Sequence, residues 1–284
     1  MTPPARLQAA AEILDEVIAS TRDDGPPADL LVSRYFKTRR YAGSKDRRAV
    51  RELVFRAIRR SAQRPDSGRA AILGLVADDP ALEELLGEIR GPDARNEGDV
   101  AAIAGLVPAW LEGEIDPLVS AEEWPALLER APLDLRVNAA RTSREAMLEV
   151  FPEAAATPLS PWGLRLAVDV RVDDRPEYLS GLVEVQDEGS QLIALACGLS
   201  EGENAIDLCA GAGGKALALA AAAPGANILA TDSNRARLSK LPARAERAGA
   251  TIETRLLNPP KELVELDDWI GQADLVLVDA PCSG

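Results

Sequence analysis

One stretch, residues 204–214 with the sequence NAIDLCAGAGG, limits the possible fold of this chain more than any other. Its first half is short and apolar, as in a buried strand, and its second half is a turn that is nearly free of side chains. The run ALALAAAA at 216–223 then favours a helix. A strand, a glycine-rich turn and a helix N-terminus in this order bring backbone N–H groups close to a ligand. We therefore expect a nucleotide-type ligand at this turn.

The spacing within the turn distinguishes between several ligand classes. The phosphate-binding Walker A pattern is absent, because Cys209 replaces its first glycine and Lys215 is followed by Ala216 instead of Ser or Thr. The dinucleotide pattern GxGxxG is also incomplete, since Gly211 and Gly213 fit but Ala216 holds the third position. What remains is an acidic strand end followed by AGAGG, which is typical of S-adenosylmethionine (SAM) pockets. A plain strand-to-helix turn without a ligand is the alternative.

Three further strands are predicted after this turn. Residues 226–232 end in Asp232, about 20 residues beyond the first glycines, where a carboxylate can accept both ribose hydroxyls of an adenosine. In the alternative interpretation, Asp232 caps the following helix. Residues 251–257 and 273–279 form the other two strands, and the last is apolar almost throughout, as a strand buried on both faces is. It leads directly into APCSG at 280–284.

Two motifs, DLCAGAGGK at 207–215 and DAPCSG at 279–284, resemble the RsmB/Sun family of SAM-dependent RNA (cytosine-5) methyltransferases. The pair is specific, because a cysteine after Asp-Ala-Pro at the end of the fourth strand is rare outside cytosine-5 methyltransferases. The resemblance implies a Rossmann-like domain with SAM as cofactor. An Asp of the family that contacts the adenine end is replaced here by Asn258. The implied cofactor-binding residues are Cys209, Ala210, Gly211, Ala212, Gly213, Gly214, Lys215, Asp232, Asn258 and Asp279.

The resemblance also implies catalysis by cysteine, since cytosine C5 is too electron-poor to attack a methyl sulfonium directly. A thiolate first adds to C6, and a base removes the C5 proton after the methyl group has been transferred. Cys282 and Asp279 are the candidate catalytic residues, the second for the N3/N4 edge of the base. In the family, the nucleophile lies in a later Thr-Cys-Ser motif, and the Pro-Cys residue assists release of the methylated product.

No Thr-Cys-Ser motif occurs within the 284 residues. We therefore expect that the chain is truncated after DAPCSG and lacks the nucleophile. In one alternative, Cys282 acts alone, as in DNA cytosine-5 methyltransferases. In another, the chain is an RNA-binding scaffold with a vestigial methyltransferase domain.

Positive charge is concentrated near the N-terminus. Residues 34–69 hold 13 Lys and Arg against three acidic residues, although the whole chain has a net charge of −14. Such segregation favours a basic surface for phosphates, and a solvated helix face is the alternative. The segment RRYAGSKDRR at 39–48 looks like part of the NusB-type helical RNA-binding domain that opens many RsmB/Sun proteins. The candidate RNA-binding residues are Arg39, Arg40, Lys45, Arg47, Arg48 and Arg51.

We expect an α plus α/β fold of three domains. These are a NusB-like helical domain at 1–128, a small α/β unit at 129–181 that helps form the RNA groove, and a C-terminally incomplete Rossmann-like domain at 182–284. Within the first domain we also expect a helix at about 99–105, and residues 107–111 (VPAWL) with their amphipathic continuation to Leu128 resemble the P-x-W-L helix of the family.

Composition excludes several classes of protein. The chain has no histidine, which excludes Ser-His-Asp and Cys-His catalysis and the usual zinc hydrolase sites. Its three cysteines lack CxxC spacing, so neither a disulfide framework nor a metal site is indicated. The longest apolar run is eight residues, far short of a membrane span. We expect a soluble cytoplasmic monomer whose partner is RNA, ribosomal RNA in particular, with no membrane and no metal.

Overall fold

The computed structural model describes residues 1–23, 25–167, 170–260 and 264–280. The chain forms two compact units, residues 1–130 and residues 131–284. The first unit is helical, and the second contains both sheets. The expected separation of a small α/β unit from the catalytic domain stays a prediction. Within the described ranges, no helix is both long enough and apolar enough to cross a bilayer.

The first unit is built on long helices near its N-terminus. Its described helices are α1 (Pro3–Arg22), α2 (Ala28–Thr38), α3 (Ser44–Arg60), α4 (Gly68–Asp78), a 3₁₀ helix at Pro80–Leu85, α5 (Ala109–Glu112) and α6 (Trp124–Leu128). Helices α1, α3 and α4 pack on one another, and their shared core includes Leu7, Ile13, Val50, Val54 and Ile72. The helical N-terminal region expected from the sequence is confirmed.

The helix predicted at 99–105 is wrong. These residues form no regular element, and their polar backbone groups bond to α3 and α4 instead. The N–H of Ala102 donates to the carbonyl of Ala70 at 2.8 Å, and Arg60 Nη1 donates to the carbonyl of Ala102 at 2.6 Å. Tertiary hydrogen bonds therefore replace the bonds that a helix would supply.

The helix predicted over 107–128 is also wrong as a continuous element. Only the short helices α5 and α6 form there. Gly113 lies at the C-cap of α5, and Pro117 follows within the connecting turns. Both residue types disfavour a helix interior, and they outweigh the apolar periodicity here.

The second unit begins with an antiparallel sheet whose strand order is β2-β3-β1-β4. Its strands are β1 (Leu133–Val137), β2 (Ala155–Ala156), β3 (Gly163–Leu166) and β4 (Val183–Val185), with helices α7 (Arg144–Val150) and α8 (Pro176–Leu179). One face packs on a core that includes Leu135, Phe151 and Leu164. The other face carries Arg136 and Glu184, which are also buried. β3 ends at Leu166, and residues 168–169 lie outside the described ranges.

A parallel sheet follows, with the strand order β7-β6-β5-β8. Its elements are α9 (Glu188–Ala196), β5 (Asn204–Asp207), α10 (Gly214–Ala222), β6 (Asn227–Asp232), α11 (Arg235–Leu238), α12 (Leu241–Ala248), β7 (Glu253–Leu256), a 3₁₀ helix at Val264–Trp269 and β8 (Leu275–Leu277). Strand order reverses between β5 and β8, as in Rossmann-like folds, which bind ligands at the carboxyl ends of the strands beside that point. The α/β methyltransferase-like fold expected from the sequence is confirmed.

Candidate active site

The glycine-rich turn lies at the point where strand order reverses. β5 ends at Asp207, and α10 begins at Gly214. Gly211 and Gly213 both have left-handed backbone angles, with φ of +56° and +86°. A Cβ on Gly213 would collide with Cδ1 of Leu241, so this position needs glycine for space as well as for conformation. The turn therefore lies at the carboxyl edge of the sheet, where Gly211 and Gly213 are buried and Ala212 between them is half-buried.

Asp232 lies beside this turn, at the end of β6. Its Oδ2 accepts the N–H of Gly211 at 2.7 Å, and its Oδ1 accepts the N–H of Asn234 at 2.6 Å. The following helix is capped by Asn234 itself, whose side chain accepts the N–H of Arg237. Asp232 is thus not that helix cap. Each of its oxygens keeps a lone pair, so the carboxylate can still accept hydroxyl groups of a ligand.

Lys215 and Asp279 meet across the same edge. Lys215 Nζ lies 2.6 Å from Asp279 Oδ2, and the side chain of Asp279 is half exposed. A carboxylate held in this way can also accept hydrogen bonds from a substrate. Cys282, the predicted catalytic cysteine, lies outside the described residues.

Asp207 is a buried carboxylate that the sequence analysis did not include among the site residues. Its side chain is almost inaccessible, and neither of its oxygens has a hydrogen-bond partner among the described residues. Burial raises the pKa of Asp207 to about 6, and the nearby backbone N–H of Ala216 and then the ammonium group of Lys215 offset part of the rise. A buried carboxylate without a partner is costly, and it attracts a cationic ligand. The acidic strand end was visible in the sequence, but its burial without a partner was not.

Two further predicted site residues occupy the rim. The thiol of Cys209 is partly buried, and burial raises its pKa. The side-chain amide of Asn258 donates to Glu265 Oε1 at 2.8 Å, and its backbone N–H donates to Glu265 Oε2 at the same distance. Glu265 thus places a carboxylate next to Asn258, the position at which the family has Asp. The sequence analysis did not predict this contact.

The predicted RNA-binding residues lie on α3 and on the connection before it. Arg39 stacks over the Tyr35 ring, with 3.5 Å between its Cζ and the ring centroid. Arg47 and Arg51 lie over other aromatic rings of the same unit. The remaining three are exposed and form no ion pair within the part of the chain that is described: Arg40, Lys45 and Arg48. Their charges are therefore available to phosphates.

Metal ligation has no support in the described ranges, where no cluster of three or more acidic or cysteine side chains could hold an ion. Charge around the glycine turn comes instead from individual side chains, namely the carboxylates of Asp207, Asp232 and Asp279 and the cations of Lys215 and Arg237.

Comparison with known proteins gives matches at the level of family. Residues 194–284 match the family of 16S rRNA methyltransferase RsmB/F. Ribosomal RNA small subunit methyltransferase B of Escherichia coli O6:K15:H31 (strain 536 / UPEC) is 32% identical over 213 residues, which are 71% of this chain and 46% of that protein. The protein of the same name from Yersinia enterocolitica is 33% identical over 188 residues, which are 63% of this chain and 43% of that protein. The chain thus spans about half the length of these relatives.

Solved structures agree on the fold. The crystal structure of PH0851 superposes with a TM-score of 0.62 at 18% identity, covering 99% of this chain and 75% of that one. A methyltransferase homolog protein from Pyrococcus horikoshii gives a TM-score of 0.50 at 24% identity, covering 57% of this chain and 54% of that one. The 32% identity to the E. coli protein over 71% of this chain and the match of residues 194–284 to the RsmB/F family, together with the motifs at 207–215 and 279–284, identify the chain as a member of the RsmB/Sun family of methyltransferases.

Proposed function

We propose that the protein takes part in SAM-dependent methylation of cytosine C5 in ribosomal RNA. Membership of the RsmB/Sun family supports an RNA methyltransferase, and the relatives in E. coli and Y. enterocolitica are named as ribosomal RNA methyltransferases. Action on ribosomal RNA also implies a cytoplasmic location.

The observation that carries the cofactor assignment is the buried, unpartnered carboxylate of Asp207 behind the left-handed glycine turn. SAM carries an ammonium and a sulfonium group, so its charges match the acidic site that Asp207, Asp232 and Asp279 form. When bound, SAM supplies an electrophilic methyl group. The residues that would hold it are those of the turn, Cys209 to Lys215, together with Asp232, Asn258 and Asp279.

Asp279 and Cys282 are the groups of this chain that we expect to act on the cytosine. Asp279 is half exposed and held by Lys215, so its carboxylate can accept a hydrogen bond from the N4 amino group of cytosine. That contact would orient the base for addition of a thiolate at C6. Cys282 follows Asp279 by three residues and is the thiol nearest to it in sequence. In the family pattern this thiol assists product release, and the nucleophile is a second cysteine.

RNA binding is assigned to the first unit. Arg40, Lys45 and Arg48 are exposed without ion pairs among the described residues, and Arg39, Arg47 and Arg51 complete the basic segment. We expect mainly phosphate contacts, which hold RNA without regard to its sequence.

Titration calorimetry with SAM tests the cofactor site. Wild-type protein should bind SAM, and Asp232→Ala should weaken binding by about 1–3 kcal/mol through lost hydrogen bonds to a charged acceptor. Asp232→Asn keeps an acceptor for one of the two backbone N–H groups and serves as the milder variant. Absence of heat with wild-type protein would contradict SAM binding by this chain, and unchanged affinity in Asp232→Ala would remove that residue from the site.

A further inference from the structure

Glu184 on β4 is a buried carboxylate shared by two arginines of α12. Its side chain is 3% exposed, Arg244 Nη2 lies 2.8 Å from its Oε2, and Arg247 donates to its Oε1. The two arginines are three residues apart, so they project from one face of the helix. They are also equally buried, at 23% and 21% exposure. They nevertheless differ in what else they contact.

Arg244 reaches the glycine turn, and Arg247 does not. Arg244 Nη1 donates to the carbonyl oxygen of Ala212 at 2.6 Å. The guanidinium of Arg247 lies instead over the ring of Tyr178, with 4.3 Å between Cζ and the ring centroid. Only one of two otherwise similar ion pairs therefore connects β4 to the turn at which we place the cofactor.

The carbonyl that Arg244 holds belongs to a peptide unit with few other restraints. Its N–H is that of Gly213, which donates to the carbonyl of Ala210 at 2.8 Å within the turn itself. The turn has almost no side chains of its own, and Gly213 tolerates backbone angles that other residues do not. The bond from Arg244 restrains the carbonyl end of this peptide from outside the turn.

Glu184 in turn fixes Arg244. A free arginine side chain has many rotamers and would contact the carbonyl only part of the time. The buried carboxylate selects one rotamer and compensates the charge, which matters next to a site for a cationic ligand. One of the contacts that position the turn thus starts from Glu184 in the antiparallel sheet and is made by Arg244.

We propose that Arg244, held by Glu184, is a positioning residue that orients the Ala212–Gly213 peptide for cofactor binding. The inference rests on the proposed SAM site, and it adds a residue that none of the motifs contains. Arg244 touches no reacting atom, and its effect passes through the backbone of the turn.

Arg247→Gln is the matched control for Arg244→Gln. Both variants remove one arginine partner of Glu184, but Arg244→Gln alone also removes the hydrogen bond to the carbonyl of Ala212. Spectra of the ligand-free full chain, with ¹⁵N on glycine, should show a shifted or broadened Gly213 amide in Arg244→Gln and an unchanged one in Arg247→Gln. Affinity for SAM should fall about tenfold in Arg244→Gln, as expected when one charge-assisted hydrogen bond that organises the site is lost, and should stay within about twofold in Arg247→Gln.

Arg244→Lys provides a second variant if Arg244→Gln does not fold. Lysine keeps the charge beside Glu184 but lacks a fork that can hold Glu184 and Ala212 together, so stability should recover while the Gly213 amide stays shifted. An unshifted Gly213 amide in both variants, or equal losses of affinity in Arg244→Gln and Arg247→Gln, would overturn the proposal. If wild-type protein binds no SAM, the proposed function fails, and the glycine spectra still decide the role of Arg244.

Discussion

Lys215 and Asp279 lie 2.6 Å apart, although one follows β5 and the other follows β8. Only 13% of the lysine side chain is exposed, whereas its partner is half exposed. The pair therefore joins a largely buried cation to a carboxylate that remains open to a substrate.

Asp279→Asn should weaken SAM binding about tenfold, because a mostly buried ammonium then loses its counter-charge next to a cationic ligand. Calorimetry measures the change. Asp274→Asn is the control, since Asp274 bonds the N–H of Asn204 at the other end of the β5–β8 pair. Equal losses in the two variants would mean that the effect comes from sheet stability and not from the charge of Asp279.

Asp207→Asn should change how stability depends on pH. The pKa of Asp207 rises from 3.8 to about 6 on folding, so the native state holds this proton more tightly than the unfolded state. The free energy of unfolding of the wild type therefore falls by up to roughly 3 kcal/mol as pH rises from about 4 to about 6. Above pH 6, Asp207 is ionised in both states and causes no further loss. The variant should lack this loss and be more stable at pH 7.5. Urea unfolding at pH 4.5 and 7.5 tests this, and identical pH dependence in the two proteins would contradict it.

The same carboxylate should link SAM affinity to pH. A cationic ligand favours the ionised form of Asp207, so affinity of the wild type should increase between pH 5 and pH 7. Asp207→Asn should bind more weakly at pH 7 and show a smaller increase. Calorimetry in buffers of different ionisation enthalpy would also detect the proton that Asp207 releases on binding.

Reversal of Arg47, Arg48 and Arg51 to Glu should weaken RNA binding and flatten its dependence on salt. Each lost phosphate contact lowers the slope of log K against log salt concentration by roughly 0.7–0.9. Arg95→Glu is the control, because Arg95 lies in the same unit outside residues 34–69 and is paired with Glu83. If the triple variant kept the wild-type slope, these arginines would not contact phosphates, and the basic segment would be only a solvated surface.

Cys282 should form no covalent complex with RNA that contains 5-fluorocytosine, if it only assists product release. Fluorine blocks elimination after a thiolate has added to C6, so an adduct reports the nucleophile. Denaturing gels with wild-type protein and Cys282→Ala, each with SAM, separate the possibilities. An adduct that disappears in Cys282→Ala would establish a one-cysteine mechanism and overturn the two-cysteine assignment.

The parallel sheet was predictable because local signals agreed there. Short apolar runs ended in Asp207 and Asp232, and a glycine turn and a strong helix former separated them, so each level of sequence pattern indicated the same element. The helix predicted at 99–105 was wrong because local and tertiary signals disagreed there. The apolar residues of this segment fit a helix, but its backbone forms hydrogen bonds with Arg60 and Ala70 instead. Such tertiary bonds cannot be predicted from the local sequence.

The active-site network was less accessible to sequence analysis, because it depends on partners that are distant in sequence. Glu184 and Arg244 are 60 residues apart, and their bond follows only from the packing of β4 against α12. Arg136 of β1 is likewise buried, and its Nη1 donates to the carbonyl of Leu217 on α10, which is 81 residues away in sequence. Charged residues in a strand mark a solvated face only when no second layer covers it.

The order of strands has a consequence for how the protein folds. β5 pairs with β6 nearby in the chain, but its other neighbour, β8, arrives about 70 residues later, as the bond from the Asp274 N–H to the Asn204 carbonyl shows. Closing so long a loop is slow compared with local pairing, so β6 should dock on β5 first. Pulse-labelled hydrogen exchange should find the Leu208 amide, which donates to Leu277, protected later than those between β5 and β6. During synthesis, the nascent chain would hold an assembled glycine turn well before Asp279 could reach Lys215.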